Sequence, residues 1–549
     1  MNTAGRKWKN GVILCSILLL GLVLRNYNLD FPAIGYHNMK ENDYLSIAQE
    51  MERSHDYVSR KIYFWNAFEE NPEMKVYPQV PLISYQILAS WRMLDKNIWG
   101  PRLINVIFGI ASILVVYRIA VLLFANNALA LYSAFLLAIM PLAVFFSRNL
   151  QPESPAFFFM LLGNLFYLQF IKAFKKRNLV FGGLFFSIAW IYKMSFLFGA
   201  LPLVFCIPFK ELLRRKKELI KYAAVFLAPY LIIMATILWL KYIGQWEFQD
   251  IARVSIWEIF SADYWKKNGH AIYWYIVGEN FTPIFTVTAI LGVALAFVKR
   301  KGLLNRYLIG WTLAAVVYGM FFSDYINQHS YYQMPFLLLV CVASAYIISS
   351  FSNLLKKISR KNLLALFMII ITGVSLPFVY SAIQRMYAVV FLGVDVAGES
   401  LREFTKTDER IFLYTYPQGN AIARYGRRYV GWIADLEEFK QKEKKFNINY
   451  VCFYPIEYAL LLKANNLPLF EYIQNNYHVK EAGLTNEPEK LYYVILERGK
   501  GSDPETFLKS FSGPMQLRTV YKVFGGYMFF YVIRPEDDLK EIKTHADQR

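Results

Sequence analysis

Long apolar runs leave this chain little choice of fold. Leu103–Phe124, Tyr222–Leu240 and Leu363–Val379 each approach the roughly 20 residues that a helix needs to cross a hydrocarbon core. Inside lipid every backbone N–H and C=O must find its partner within the protein, so such runs fold as membrane helices. They are confined to residues 1–382. Composition agrees, since 56% of the 549 residues are hydrophobic and 17% aromatic, against about 45–50% apolar in an ordinary soluble domain. The first run, Gly11–Leu24, follows Arg6, Lys7 and Lys9. It ends at Arg25-Asn26-Tyr27-Asn28 and not at a small-residue cleavage site, which reads as a retained signal anchor.

A net charge of +19 invites a nucleic-acid reading, but the basic residues gather in short connectors between apolar runs. The clusters are Lys172/Lys175/Lys176/Arg177, Lys210/Arg214/Arg215/Lys216/Lys217, Lys299/Arg300/Lys301/Arg306 and Lys356/Lys357/Arg360/Lys361. This is the positive-inside pattern of a multi-pass membrane protein, and nucleic acid is not expected as a partner. Cys15, Cys206, Cys341 and Cys452 show no CxxC or metal-ligand spacing and read as small buried hydrophobes.

The same clusters fix the expected topology. With the N-terminus cytoplasmic, the first span (about 10–26) runs outward. Val80–Leu94 is short and carries Gln86 and Arg92. If it crossed, every later basic cluster would fall outside, so residues 27–100 are read as one outer loop and Val80–Leu94 as an interfacial or re-entrant helix. Further spans are expected near 101–124, 127–146, 154–171, 179–192, 195–209, 219–241, 281–298, 307–323, 333–351 and 363–381. With the first span the crossings number about eleven, which puts residues 383–549 outside the cell membrane. In that tail Arg410–Tyr416, Tyr450–Tyr454 and Leu491–Leu496 read as strands. Leu436–Lys445, Tyr458–Ala464 and Pro468–Asn475 read as helices, and Val523–Val532 as a hairpin around Gly525-Gly526. The domains are therefore a transmembrane domain, 1–382, and a soluble extracytoplasmic α/β domain, 383–549, with no Gly-rich phosphate loop.

Carboxylates at the mouth of a span are costly unless they face water or a site. Glu41 and Asp43 stand soon after the first span, in Lys40-Glu41-Asn42-Asp43-Tyr44-Leu45-Ser46-Ile47-Ala48-Gln49-Glu50-Met51, and Glu153 stands in Ser147-Arg148-Asn149-Leu150-Gln151-Pro152-Glu153. Lys193 breaks an apolar stretch in Ala189-Trp190-Ile191-Tyr192-Lys193. Tyr77-Pro78-Gln79-Val80-Pro81-Leu82, Gly100-Pro101-Arg102-Leu103 and His329-Ser330-Tyr331-Tyr332-Gln333-Met334-Pro335 complete the set, and every one lies outside in this topology.

Taken in order, these motifs resemble those of the polytopic GT-C glycosyltransferases, most of all the protein O-mannosyltransferase and lipid A aminoarabinose transferase superfamily, over residues 10–340. The resemblance implies an inverting glycosyltransferase that takes a sugar from a polyprenyl-phosphate donor. The acceptor is a protein, a lipid or a glycan at the extracytoplasmic face. Lys40 stands where relatives carry the first acid of an Asp-Glu pair, so the base falls to Glu41 or Asp43, with Glu153 as a substrate-positioning acid. Lys75, Arg102, Arg148 and Lys193 are the candidate phosphate ligands, and His329 and Tyr332 candidate contacts to phosphate or sugar. No cofactor is assigned. A divalent cation, where one is used, would be shared by Glu41, Asp43 and Glu153, although no Asp-x-Asp or His-x-x-x-His cluster is present. Each acid also has a plainer role as a helix-start carboxylate, and each cation as a side chain reaching toward lipid headgroups. The rival readings are a transporter or flippase of lipid-linked sugars, which needs no base, and a receptor whose tail binds a partner.

Overall fold

The apolar runs do fold as helices. The computed structural model describes residues 3–58, 60, 62, 67–68, 80–208, 216–242, 256–359, 363–416, 418–486, 489–500 and 515–535. Along the chain the helices begin with α1 (Thr3–Arg25), α2 (Asn38–Ser54), α3 (Leu82–Leu94), α4 (Trp99–Phe124), α5 (Asn127–Ile139), α6 (Pro141–Phe146), α7 (Glu153–Ala173) and α8 (Lys176–Tyr192). They continue with α9 (Leu201–Val204), α10 (Lys216–Tyr242), α11 (Ala262–Tyr273), α12 (Thr282–Lys299), α13 (Leu303–Ile326), α14 (Leu337–Ser359) and α15 (Leu364–Ala388).

Among the described residues seven helices are long and apolar enough to cross a membrane: α1 from Trp8, α4, α7, α12, α13, α14 with its preceding 3-10 turn, and α15. Helix length alone therefore does not give the expected count of about eleven. The run at 127–146 is broken between α5 and α6, and the span expected at 195–209 opens within the 3-10 turn Met194–Ala200, which passes into the four-residue α9. At about 1.5 Å per residue the 13-residue α3 spans only about 20 Å, short of the ~30 Å core.

The chain divides into two compact units. One comprises Met1–Leu29, Pro78–Gln86 and Met93–Met386, the other Asp30–Tyr77, Ile87–Arg92 and Tyr387–Arg549. In the first, small residues bring helices together, as expected where lipid removes the hydrophobic drive between them. Gly292 of α12 lies against the Ala343 carbonyl of α14, where a Cβ would collide, and the Thr288 and Ser344 hydroxyls share a 2.8 Å hydrogen bond. The break at Met140-Pro141 has a local cause. Pro141 has no N–H to give the Leu137 carbonyl four residues back. The buried Arg25 guanidinium donates there instead, to Leu137 O (3.1 Å) and Ala138 O (2.9 Å).

The second unit is built on a seven-stranded sheet, ordered β2-β1-β3-β5-β4-β7-β6. Its strands are β1 (Arg410–Tyr414), β2 (Tyr429–Gly431), β3 (Tyr450–Phe453), β4 (Tyr477–Asn486), β5 (Glu489–Arg498), β6 (Gln516–Val523) and β7 (Gly526–Ile533). β1 pairs parallel with β2 and β3, and the rest is antiparallel. The helices are α16 (Val394–Phe404), α17 (Gly419–Gly426), α18 (Leu436–Phe446), α19 (Glu457–Asn465) and α20 (Leu467–Asn476). Side chains alternate across the sheet. Ile411, Leu413 and Cys452 pack with Val396, Leu401, Ile422 and Ile34 on one face. Phe412, Val451 and Phe453 pack with Phe439, Leu462 and Ile473 on the other. Both faces are covered, so the strands read as continuous apolar runs. The expected α/β tail is present, and its Gly-Gly hairpin turns at Gly525, whose φ of 91° suits glycine.

Asp395, in the first turn of α16, accepts the Tyr521 hydroxyl at 2.5 Å. Burial pushes its carboxyl from 3.8 up to about 6, although the Tyr521 bond and the Val396 N–H pull the other way. The folded state thus holds this proton more tightly than the unfolded chain. Stability from this group falls as pH rises from about 4 to 6, by on the order of 3 kcal/mol, and stays down above that. We expect Asp395→Asn, which keeps an acceptor for Tyr521, to raise the melting temperature of the second unit at pH 7.5 and to flatten its decline between pH 4 and 6. A variant that melts lower at pH 7.5 would refute this.

Candidate functional site

Lys193 closes α8 in extended conformation (φ −159°, ψ 119°) before the 3-10 turn Met194–Ala200. Its ammonium donates to Glu153 Oε1, and the two side chains are only 8% and 2% exposed. An isolated buried charge is prohibitively costly, so such a pair persists only with further compensation. Two sources supply it. Glu153 is the first residue of α7, at the positive end of the helix dipole. The Lys193 Nζ lies 4.3 Å from the Tyr331 ring centroid and 4.1 Å from that of Tyr332, within cation–π range of both. No donor among the described residues reaches Glu153 Oε2, which can therefore accept a bond from an incoming hydroxyl.

The rings of this cage are themselves fixed. Tyr318 donates to Tyr332 O (2.6 Å), and Tyr332 stacks on Tyr325 at 5.1 Å. His329 stacks on Tyr331, nearly parallel at 5.1 Å. Asn280 donates to Ser330 O (2.9 Å) and Gln333 Oε1 (2.7 Å). On the Glu153 side, Asn105 of α4 donates to the carbonyls of Asn149 and Gln151, and Ser154 donates to Asn105 O at 2.9 Å. The loop leading into Glu153 is thus tied to a neighbouring helix. Arg148 donates to Asn28 O (2.8 Å) and Arg102 to Leu29 O (3.0 Å), which sets both guanidiniums at the exit of α1.

The first unit thus brings together Lys193, Glu153, Tyr332 and His329, with Arg102 and Arg148 bonded to the adjacent carbonyls of Leu29 and Asn28. Glu41 and Asp43 belong to the second unit. Both lie on α2 within a buried stretch, at 3% and 4% exposure. Asp43 accepts from Asn420 Nδ2 and has Lys40 at 3.8 Å. Lys75 falls outside the described residues. Sequence reasoning missed Arg25, Asn105, Tyr318 and the buried Glu279. Asn105 is polar inside an apolar span, a signal that was there to be read. Among the described residues no three of His, Cys, Asp and Glu gather closely enough to hold a metal ion.

Removing one partner of a buried pair leaves the other uncompensated, at about 3–5 kcal/mol. Lys193→Met is expected to lower the melting temperature in nanodiscs by more than the double variant Lys193→Met/Glu153→Gln does. Equal losses would show that the ion pair is not what stabilises this region.

Residues 78–239 match the family described as dolichyl-phosphate-mannose-protein mannosyltransferase. No curated protein matches the chain by sequence. Among solved structures it is similar to the oligosaccharyltransferase AglB from Archaeoglobus fulgidus, in complex with an inhibitory peptide and a dolichol-phosphate. The TM-score is 0.57 at 14% identity, over 89% of this chain and 74% of that one. It is also similar to ArnT from Cupriavidus metallidurans bound to undecaprenyl phosphate, with a TM-score of 0.54 at 14% identity over 90% of this chain and 98% of that one. At such identity the likeness is one of fold: the chain is a GT-C fold membrane protein resembling the polyprenyl-phosphate-dependent glycosyltransferases, as its motifs led us to expect.

Proposed function

We propose that this protein is an inverting glycosyltransferase that moves a sugar from a polyprenyl phosphate to an acceptor at the extracytoplasmic membrane face. The observation that carries the reading is the likeness of fold to ArnT with undecaprenyl phosphate bound, spanning 98% of that chain. The peptide in the AglB complex favours a peptide or protein acceptor over a lipid or glycan. In this proposal the protein spans the membrane several times, with a cytoplasmic N-terminus and residues 383–549 outside.

The chemistry needs a base, a phosphate clamp and a positioned acceptor. The acceptor oxygen attacks the anomeric carbon as its proton passes to a carboxylate, Glu41 or Asp43. The bond from that carbon to the phosphate oxygen breaks, its electron pair leaves with the polyprenyl phosphate, and one displacement inverts the centre. Negative charge grows on the departing phosphate, where preorganised cations are most effective. Lys193, Arg102, Arg148 and Lys75 take that role, while Glu153 Oε2, Tyr332 and His329 orient sugar or acceptor hydroxyls. Lys193 is already paired, so phosphate binding here is an exchange in which Glu153 yields its lysine to the donor.

Purified protein with a polyprenyl-phosphate sugar and a peptide acceptor tests the reading. Glu41→Gln keeps size and loses basicity, and kcat should fall by roughly 10²–10⁴-fold. Arg148→Ala should instead raise the donor KM. Normal rates from both Glu41→Gln and Asp43→Asn would remove the base assignment. Movement of the lipid-linked sugar across vesicles without transfer would favour a flippase.

A further inference from the structure

Within the second unit α2 is bonded to α17 over more than a turn. Asn38 Nδ2 donates to Gln418 Oε1 (2.8 Å), Asn420 Nδ2 donates to Asp43 Oδ1, and Arg424 Nε donates to Asn42 Oδ1 (2.5 Å). All six side chains are more than nine-tenths buried. The segment entering α2 is fastened to the same place. Asn38 and Asn42 both donate to Ala33 O (3.3 and 2.7 Å), and the Ala33 N–H donates to the Tyr425 hydroxyl (3.0 Å). The Arg424 guanidinium lies 3.6 Å above the Tyr425 ring, so the cation is packed as well as bonded.

Helix geometry makes the rotation of α2 decisive for either candidate base. At 3.6 residues per turn, positions two apart stand about 200° round the axis from each other. Glu41 and Asp43 therefore cannot present their carboxylates to one substrate from the same side. The contacts with α17 engage Asp43, along with Asn38 and Asn42.

We propose that α17 is a positioning clamp for the base-bearing helix. Gln418, Asn420 and Arg424 fix the rotation of α2, and with it the directions in which Glu41 and Asp43 present their carboxylates. This rests on the transferase reading above. It makes the C-terminal unit a part of the catalytic machinery, its residues acting through α2 without touching substrate.

The test exchanges donor and acceptor across the Asn420–Asp43 bond in the full-length protein in nanodiscs. Asn420→Asp alone sets two carboxylates face to face. It should cost about tenfold or more in kcat, the scale of coupling between residues in contact, with little change in donor KM. Hydrogen exchange of the α2 amides should rise. Adding Asp43→Asn restores a donor and an acceptor in reversed order, and exchange should return close to wild type. A double variant whose α2 amides stay unprotected would overturn the Asn420–Asp43 pairing as part of the clamp. Unchanged exchange and kcat in Asn420→Asp would overturn the clamp. The exchange arm needs no turnover. Failure of sugar transfer by the wild type would count against the transferase reading alone, and the exchange result would still decide the clamp.

Discussion

A lysine and a glutamate that are both almost wholly removed from water can coexist only because each neutralises the other. The Lys193–Glu153 pair imposes that condition on its surroundings. The break between α8 and the 3-10 turn, the start of α7 and the two tyrosine rings must all hold their places, or a charge is stranded. The supporting bonds from Asn105, Tyr318 and Asn280 fix the loops that meet there. A pair held this way is preorganised, because its charges and the dipoles around them keep their orientation without a ligand. It also carries a built-in exchange: an anionic ligand that takes Lys193 must be matched by a new partner for Glu153.

Much of the architecture was legible in the sequence because lipid imposes simple rules. Apolar length gave the helices, and the strand pattern gave the α/β tail, including the Gly525 turn. Lys193 could be singled out because a cation inside an apolar stretch has no cheap explanation, and its partner Glu153 stood at a span entrance. The span count was less accessible. Pro141 breaks one run into two helices by withholding an N–H, and the number of crossings cannot be read from apolar length where helices are interrupted.

The clamp on α2 was not legible at all. Asn420 and Arg424 lie some 380 positions from Asp43 and Asn42, and each looks like an ordinary polar residue in a short helix. Only folding of the second unit brings them to α2, and nothing local in the sequence encodes a pairing at that separation. The same holds for Arg25, whose carbonyl partners are exposed by a break more than a hundred residues away. Long-range polar satisfaction of this kind follows from the demand that buried groups be paired, but the demand does not say by whom.

The central claim is direct displacement at the anomeric carbon of a polyprenyl-phosphate sugar. It is tested most directly by incubating the purified wild-type protein with a donor of known anomeric configuration and assigning the product linkage by NMR. The account predicts a product of the opposite configuration, with the free polyprenyl phosphate released in equal amount. A product that retains the donor's configuration would contradict it.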